Sequence, residues 1–118
     1  MSLQNVAYLE DGDISPDGKL KIPDNGKPVV IMLQGTFCGY CHKIAPDFQQ
    51  ATNALKDKAN IATIVIDEQK QLGKEAASYI HNFKGVPTIV IFKNGKYSKT
   101  YEGNRTAPDI IEFVNKNI

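Results

Sequence analysis

The 118-residue sequence predicts an α/β protein: a mixed central sheet, with parallel core strands plus an antiparallel C-terminal hairpin, flanked by helices. Three observations lead there. Two short apolar runs rich in β-branched residues, "PVVIML" at 28–33 and "IATIVID" at 61–67, read as strands buried on both faces. Helical apolar spacing lies between them and again after the second. Near the C-terminus, "PTIVIFK" and "KYSKTYE" flank Asn94-Gly95, the pattern of a hairpin on a type I′ turn. A strand–helix–strand unit implies a parallel pair, and the hairpin adds an antiparallel edge.

The elements follow in order. "NVAYLE" is a candidate first strand, and "DGDISPDGKLKIPDNGKP" is dense in Asp-Gly and Asn-Gly turn signals, with room for a short hairpin. After the 28–33 strand, Cys41, Ile44, Ala45, Phe48, Ala51 and Leu55 fall on one helical face. Pro46 lies inside that helix and removes one backbone donor, which predicts a kink. The 61–67 strand comes next. Leu72, Ala76, Tyr79, Ile80 and Phe83 then predict one helix within 69–83. Thr106, Pro108 and Asp109 supply a cap, an early proline and an early acid for a last helix. Ile110, Phe113 or Val114, and Ile118 form its apolar face.

Length suits a single domain. We expect residues 1–27 to be an N-terminal extension with the first strand, packed on the core formed by 28–118. A hydrophobic content of 42% with 23% charged residues suits a globular chain. A net charge of +1 gives no electrostatic reason to expect nucleic acid or an anionic membrane as partner. No run is long enough to span a bilayer, and no apolar segment with a basic flank opens the chain.

The chemistry centres on "CGYCH", 38–42, which holds both cysteines. Cys-x-x-Cys-His is an attachment pattern for c-type haem, with His42 as iron ligand and Met32 or His81 as the second. A haem fold is usually helical and leaves the three β-rich runs unexplained. Structural zinc needs two further ligands, and only His42 and His81 are at hand, His42 directly beside Cys41. No metal site is expected. The context of the motif, just after a buried strand and opening a helix, favours a reversible dithiol. Unpaired N–H groups and the positive end of the macrodipole stabilise a thiolate at Cys38 and lower its pKa. Cys41, one turn on and facing inward, is then the shielded resolver.

From these residues the chain resembles a family. "PVVIMLQGTFCGYCHKIAPDF" resembles the active-site strand and helix of thioredoxin-fold proteins, with Pro46 at the family's helix-kinking proline. "GVPTIVIFKNGK", 85–96, resembles the cis-proline segment and hairpin. "YEGNRTAPDIIEFV", 101–114, resembles the last strand and helix of protein disulfide isomerase catalytic domains. The resemblance covers roughly 28–118 and implies a thioredoxin fold. It implies that Pro87 follows a cis bond facing the dithiol, that Val86 offers its backbone to an extended substrate, and that Phe37 flanks the docking surface. It also implies that Gly39 and Tyr40 tune the dithiol and that Arg105 can approach the resolver and lower its pKa.

There are departures. Met32 stands where the family usually has a buried acid that accepts the resolver's proton. Phe37 replaces the usual Trp, and Gly39-Tyr40 is neither Gly-Pro nor Gly-His. His42 can serve the thiolate only if its ring turns toward Cys38. Glutaredoxins share Tyr40 and a similar Val-Pro, but their later Gly-Gly pair is missing. A peroxidase-type Thr-x-x-Cys fails on spacing, since Thr36 is two residues before Cys38. Asn104-Arg105-Thr106 is a formal glycosylation sequon and locates nothing by itself. The resemblance therefore implies a thiol–disulfide oxidoreductase of disulfide isomerase or oxidase type. A cytosolic thioredoxin-like reductase and a non-catalytic thioredoxin-like binding module are the alternatives. No cofactor is expected beyond the Cys38–Cys41 disulfide. Expected partners are cysteine-containing proteins and a recycling redox partner, acting on a monomer. An oxidising compartment is favoured over the cytoplasm.

Overall fold

The computed structural model describes residues 2–118. Its elements are β1 (Ala7–Tyr8), β2 (Val29–Gln34), α1 (Gly39–Leu55), β3 (Asn60–Val65), α2 (Lys70–Lys74), α3 (Ala76–Tyr79), β4 (Thr88–Lys93), β5 (Lys96–Thr100) and α4 (Ala107–Lys116). The five strands form one mixed sheet in the order β1-β3-β2-β4-β5. β2 runs parallel to β3 and antiparallel to β4, and β5 returns antiparallel to β4. This is the α/β thioredoxin fold.

The sheet is apolar on both faces, as its continuous hydrophobic runs require. Alternate residues of β2 point to opposite sides. Val30 and Met32 join Ile89, Ile91 and the inward residues of α1 and α4 on one side. Val29, Ile31 and Leu33 join Val90, Phe92, Ala62, Ile64 and the α2–α3 residues on the other. The N-terminal segment packs into both layers, Leu3 into the first and Leu9, Ile14 and Leu20 into the second. Its turn-rich stretch holds a single antiparallel bridge, Ile14 to Leu20.

α1 buries Cys41, Ile44, Ala45, Phe48, Ala51 and Leu55, the face read from spacing, with Thr52 beside them. It continues past Pro46. Asn94 and Gly95 both take positive φ, 53° and 77°, which a type I′ turn demands and which glycine adopts without a Cβ clash. Thr106 caps α4 by accepting the Asp109 N–H.

Two expectations change. The single helix expected within 69–83 is two short helices meeting at Glu75. Gly73 lies so close to the Ile66 carbonyl that the chain cannot carry a side chain there. Neither short helix is capped by its own N-cap side chain, and Asp11 Oδ1 accepts the Leu72 N–H in the first turn of α2 instead. Tyr79 ties them together, its hydroxyl donating to the Leu72 carbonyl at 2.7 Å. Ile118 lies beyond α4 and is exposed, so Ala107, Ile110 and Val114 are the fully buried residues of that helix, with Phe113 half-buried.

Candidate active site

Strand register gathers three separate segments at one end of the sheet. β2 and β3 pair in parallel with Gln34 opposite Val65, and the Ile66 N–H continues the ladder to the Gln34 carbonyl at 2.9 Å. Ile66-Asp67 therefore emerges beside Gly35-Thr36. β4 enters antiparallel with Thr88 opposite Leu33, so Val86-Pro87 arrive at the same edge. The carboxyl ends of parallel strands are where open α/β sheets place their sites.

Cys38 is the N-cap of α1. Its backbone is extended, φ −97° and ψ 108°, and its Sγ accepts the Cys41 N–H at 3.1 Å. One otherwise unpaired helix N–H is thus aimed at the sulfur. Cys38 and Cys41 form a disulfide with Cα atoms 5.2 Å apart. The two sulfurs differ in access: Cys38 is half-buried, whereas Cys41 is fully buried. Cys38 is thus the sulfur that solvent and a partner molecule can reach.

The Val86–Pro87 bond is cis. The Val86 carbonyl oxygen lies 3.8 Å from Cys38 Sγ, so the reduced thiol has an acceptor in reach. Phe37 is 96% exposed and Tyr40 64% exposed, an unusual display for aromatic rings on either side of a cysteine. Arg105 lies over the Tyr40 ring, its guanidinium carbon 5.6 Å from the centroid. Met32 is fully buried and places no ionisable group beneath the motif. Its carbonyl accepts the Thr63 hydroxyl at 2.7 Å, and Thr63 Oγ1 accepts from Gln34 Nε2, also at 2.7 Å.

The His42 ring turns to the loop. Its Nε2 lies 3.0 Å from the Thr36 carbonyl and donates to it when protonated. His81 packs against Tyr97, ring centroids 4.5 Å apart and planes tilted by 36°.

Asp67 is a site residue that sequence reasoning missed. Its Oδ1 accepts the Thr36 N–H at 2.9 Å, and this bond holds its carboxyl below the ordinary carboxylate range. Thr36 is therefore clamped at both backbone polar groups, by Asp67 and by His42. A signal existed: Asp67 ends the apolar run of β3, and only its parallel pairing with β2 turns that position into a neighbour of the motif.

Comparison with known proteins agrees with this geometry. The thioredoxin family profile matches residues 19–116. Bloodstream-specific protein 2 of Trypanosoma brucei brucei is 37% identical over 81 residues, 69% of this chain and 15% of that protein. Protein disulfide-isomerase 1 of Dictyostelium discoideum is 27% identical over 88% of this chain and 29% of its own length. The chain thus spans less than a third of these curated relatives. A thioredoxin of Rickettsia typhi is 26% identical over 85% of this chain and 90% of its own. Among solved structures, the J-Trx1 fragment of ERdj5 superposes with a TM-score of 0.76 at 16% identity, covering 96% of this chain and 50% of that one. The Malassezia sympodialis thioredoxin does so at 0.72 and 25%, covering 99% and 95%. With a CxxC disulfide at the start of its first long helix and this sheet order, the chain belongs to the thioredoxin family and is a redox domain of it.

Proposed function

We propose that this chain exchanges disulfides with cysteine-containing proteins, in the manner of a disulfide isomerase or oxidase domain. The observation that carries the reading is the Cys41 N–H aimed at Cys38 Sγ at 3.1 Å, at a helix N-terminus, with the partner sulfur buried. The Cys38 thiolate attacks one sulfur of a substrate disulfide, forming a mixed disulfide and expelling a substrate thiolate. The Cys41 thiolate then attacks Cys38 Sγ. The second substrate sulfur leaves as a thiolate and takes up a proton. Two electrons pass from the dithiol to the substrate. The reverse sequence oxidises a substrate dithiol. No further cofactor is required, because the sulfurs carry the electrons.

Phe37, Val86 and Pro87 form the docking surface, with the Val86 backbone beside Cys38 as the guide for an extended substrate. Gly39 leaves the helix start open, and Tyr40 with the Arg105 charge against it tunes the dithiol and favours the Cys41 thiolate during release. Disulfide isomerase relatives favour an oxidising compartment.

A thioredoxin-like reductase is the second reading, favoured by the Rickettsia thioredoxin, which this chain matches over nearly its whole length. The reduction potential in a glutathione buffer separates the two. A value of about −180 mV or higher supports the isomerase or oxidase reading, and one near about −270 mV overturns it in favour of the reductase. A chain in which Cys38→Ala keeps full partner binding and no dithiol couple exists would instead be a binding module.

A further inference from the structure

Two cations from different elements converge on one exposed ring beside the disulfide. Lys43 follows Tyr40 by three residues on α1, the spacing that brings helical side chains together, and its Nζ lies 5.6 Å from the ring centroid. Arg105 comes from the loop before α4, and its guanidinium lies at the same distance. The two charges are therefore at most twice that distance apart. The Arg105 loop is held in place rather than draped. The Tyr101 hydroxyl donates to the Asn104 carbonyl on one side of it. On the other, Asp47 Oδ1, one turn beyond Lys43 on α1, accepts the Ala107 N–H at 3.0 Å. Thr106 is committed to capping α4.

Neither cation forms an ion pair among the described residues. The one ion pair among the described residues joins Lys116 to Glu112. Asp47 Oδ1 accepts the Ala107 N–H, and Asp47 makes no ion pair with either cation. A ring face attracts a cation but accepts few of its N–H donors, so the ammonium and guanidinium groups keep donors for an anion. Tyr40 itself sits between the two cysteines.

We infer that Tyr40, Lys43 and Arg105 form an acid-selecting subsite, so that this domain prefers disulfides or thiols in protein segments carrying Asp or Glu within one or two residues of the reacting cysteine. The inference rests on the proposed exchange reaction and names its substrate class. A carboxylate on such a segment meets two unpaired cations while its cysteine lies at Cys38. A Lys or Arg in that position is repelled by both.

The test uses three otherwise identical disulfide-bonded peptides whose cysteine is flanked by Glu, Gln or Lys, with kcat/KM measured for each. The expected order is Glu above Gln above Lys, with about tenfold between the extremes at low salt. The ratio should shrink toward one at about 1 M salt, where screening reaches only about 3 Å. Lys43→Gln and Arg105→Gln should each reduce the ratio, and Lys43→Glu should invert it. Since the readout is a ratio within each variant, changes in overall rate do not blur it. A glutathione mixed disulfide, which brings carboxylates without a flanking peptide, serves as a fourth substrate. A rate matching the Glu peptide would mean that free carboxylates suffice and would overturn selection of a protein segment. Equal rates for all three peptides, or a ratio unchanged in the variants, would overturn the subsite while leaving the exchange reaction intact. No exchange with any substrate would remove the dithiol reading and this inference with it.

Discussion

Asp67 accepts the Thr36 N–H at 2.9 Å, joining the end of β3 to the loop that delivers Cys38. Its carboxyl is held below the ordinary value of 3.8, chiefly by that N–H. A lowered folded pKa means that the bond stabilises the fold above the ordinary value. The gain is lost as pH falls through the lowered folded value. Asp67→Ala should therefore lower the urea midpoint at pH 7, and the difference from the parent chain should vanish in acid. A difference that persisted at pH 2 would show that the bond does not carry the effect.

The asymmetry of the two sulfurs gives a second expectation. With Cys41→Ser, Cys38 can attack but nothing resolves, so a mixed disulfide with substrate should accumulate on a non-reducing gel. Cys38→Ser should give none, because Cys41 is fully buried. Adducts of equal yield from both variants would contradict the assignment of attacker and resolver.

Gly73 concerns packing rather than chemistry. A methyl group there meets the Ile66 carbonyl and lies 3.0 Å from Ile66 Cβ. Gly73→Ala should cost about 1–3 kcal/mol of stability by overpacking. A urea titration measures this directly, and an unchanged or raised midpoint would mean that α2 shifts freely.

Tyr79 links α2 to α3 and is raised well above the ordinary tyrosine pKa by burial first, then by the Glu75 and Asp11 charges. A raised folded pKa leaves its stabilisation intact below the ordinary value of 10 and removes it as pH rises beyond. The parent chain should lose stability above pH 10 more steeply than Tyr79→Phe. At pH 7 the variant should be less stable by about 1–2 kcal/mol, for the lost bond and the stranded Leu72 carbonyl. Parallel alkaline profiles would assign the alkaline loss to other groups.

Much of this fold was legible along the chain because its signals are local. β2, β3 and β4 are short apolar runs rich in β-branched residues, and Asn94-Gly95 names its own turn. The Thr106 cap was legible for the same reason, since capping uses residues three apart. The break within 69–83 was not legible. Gly73, near the end of α2, lies where any Cβ would meet the Ile66 carbonyl, a constraint from the sheet end that periodicity does not show.

At the site, the dithiol, its place at a strand-to-helix junction and the inward face of Cys41 were readable along the chain, since these depend on residues within one turn of each other. Tertiary structure alone decided who surrounds it. Parallel pairing of β2 with β3 brought Asp67 to Thr36, and antiparallel entry of β4 brought Val86 to Cys38. The seating of α4 on α1 brought Arg105 to Tyr40 rather than leaving it in solvent. Those neighbours are separated by dozens of residues, and strand register and helix docking, which come from burying both faces of the sheet at once, are what set them side by side.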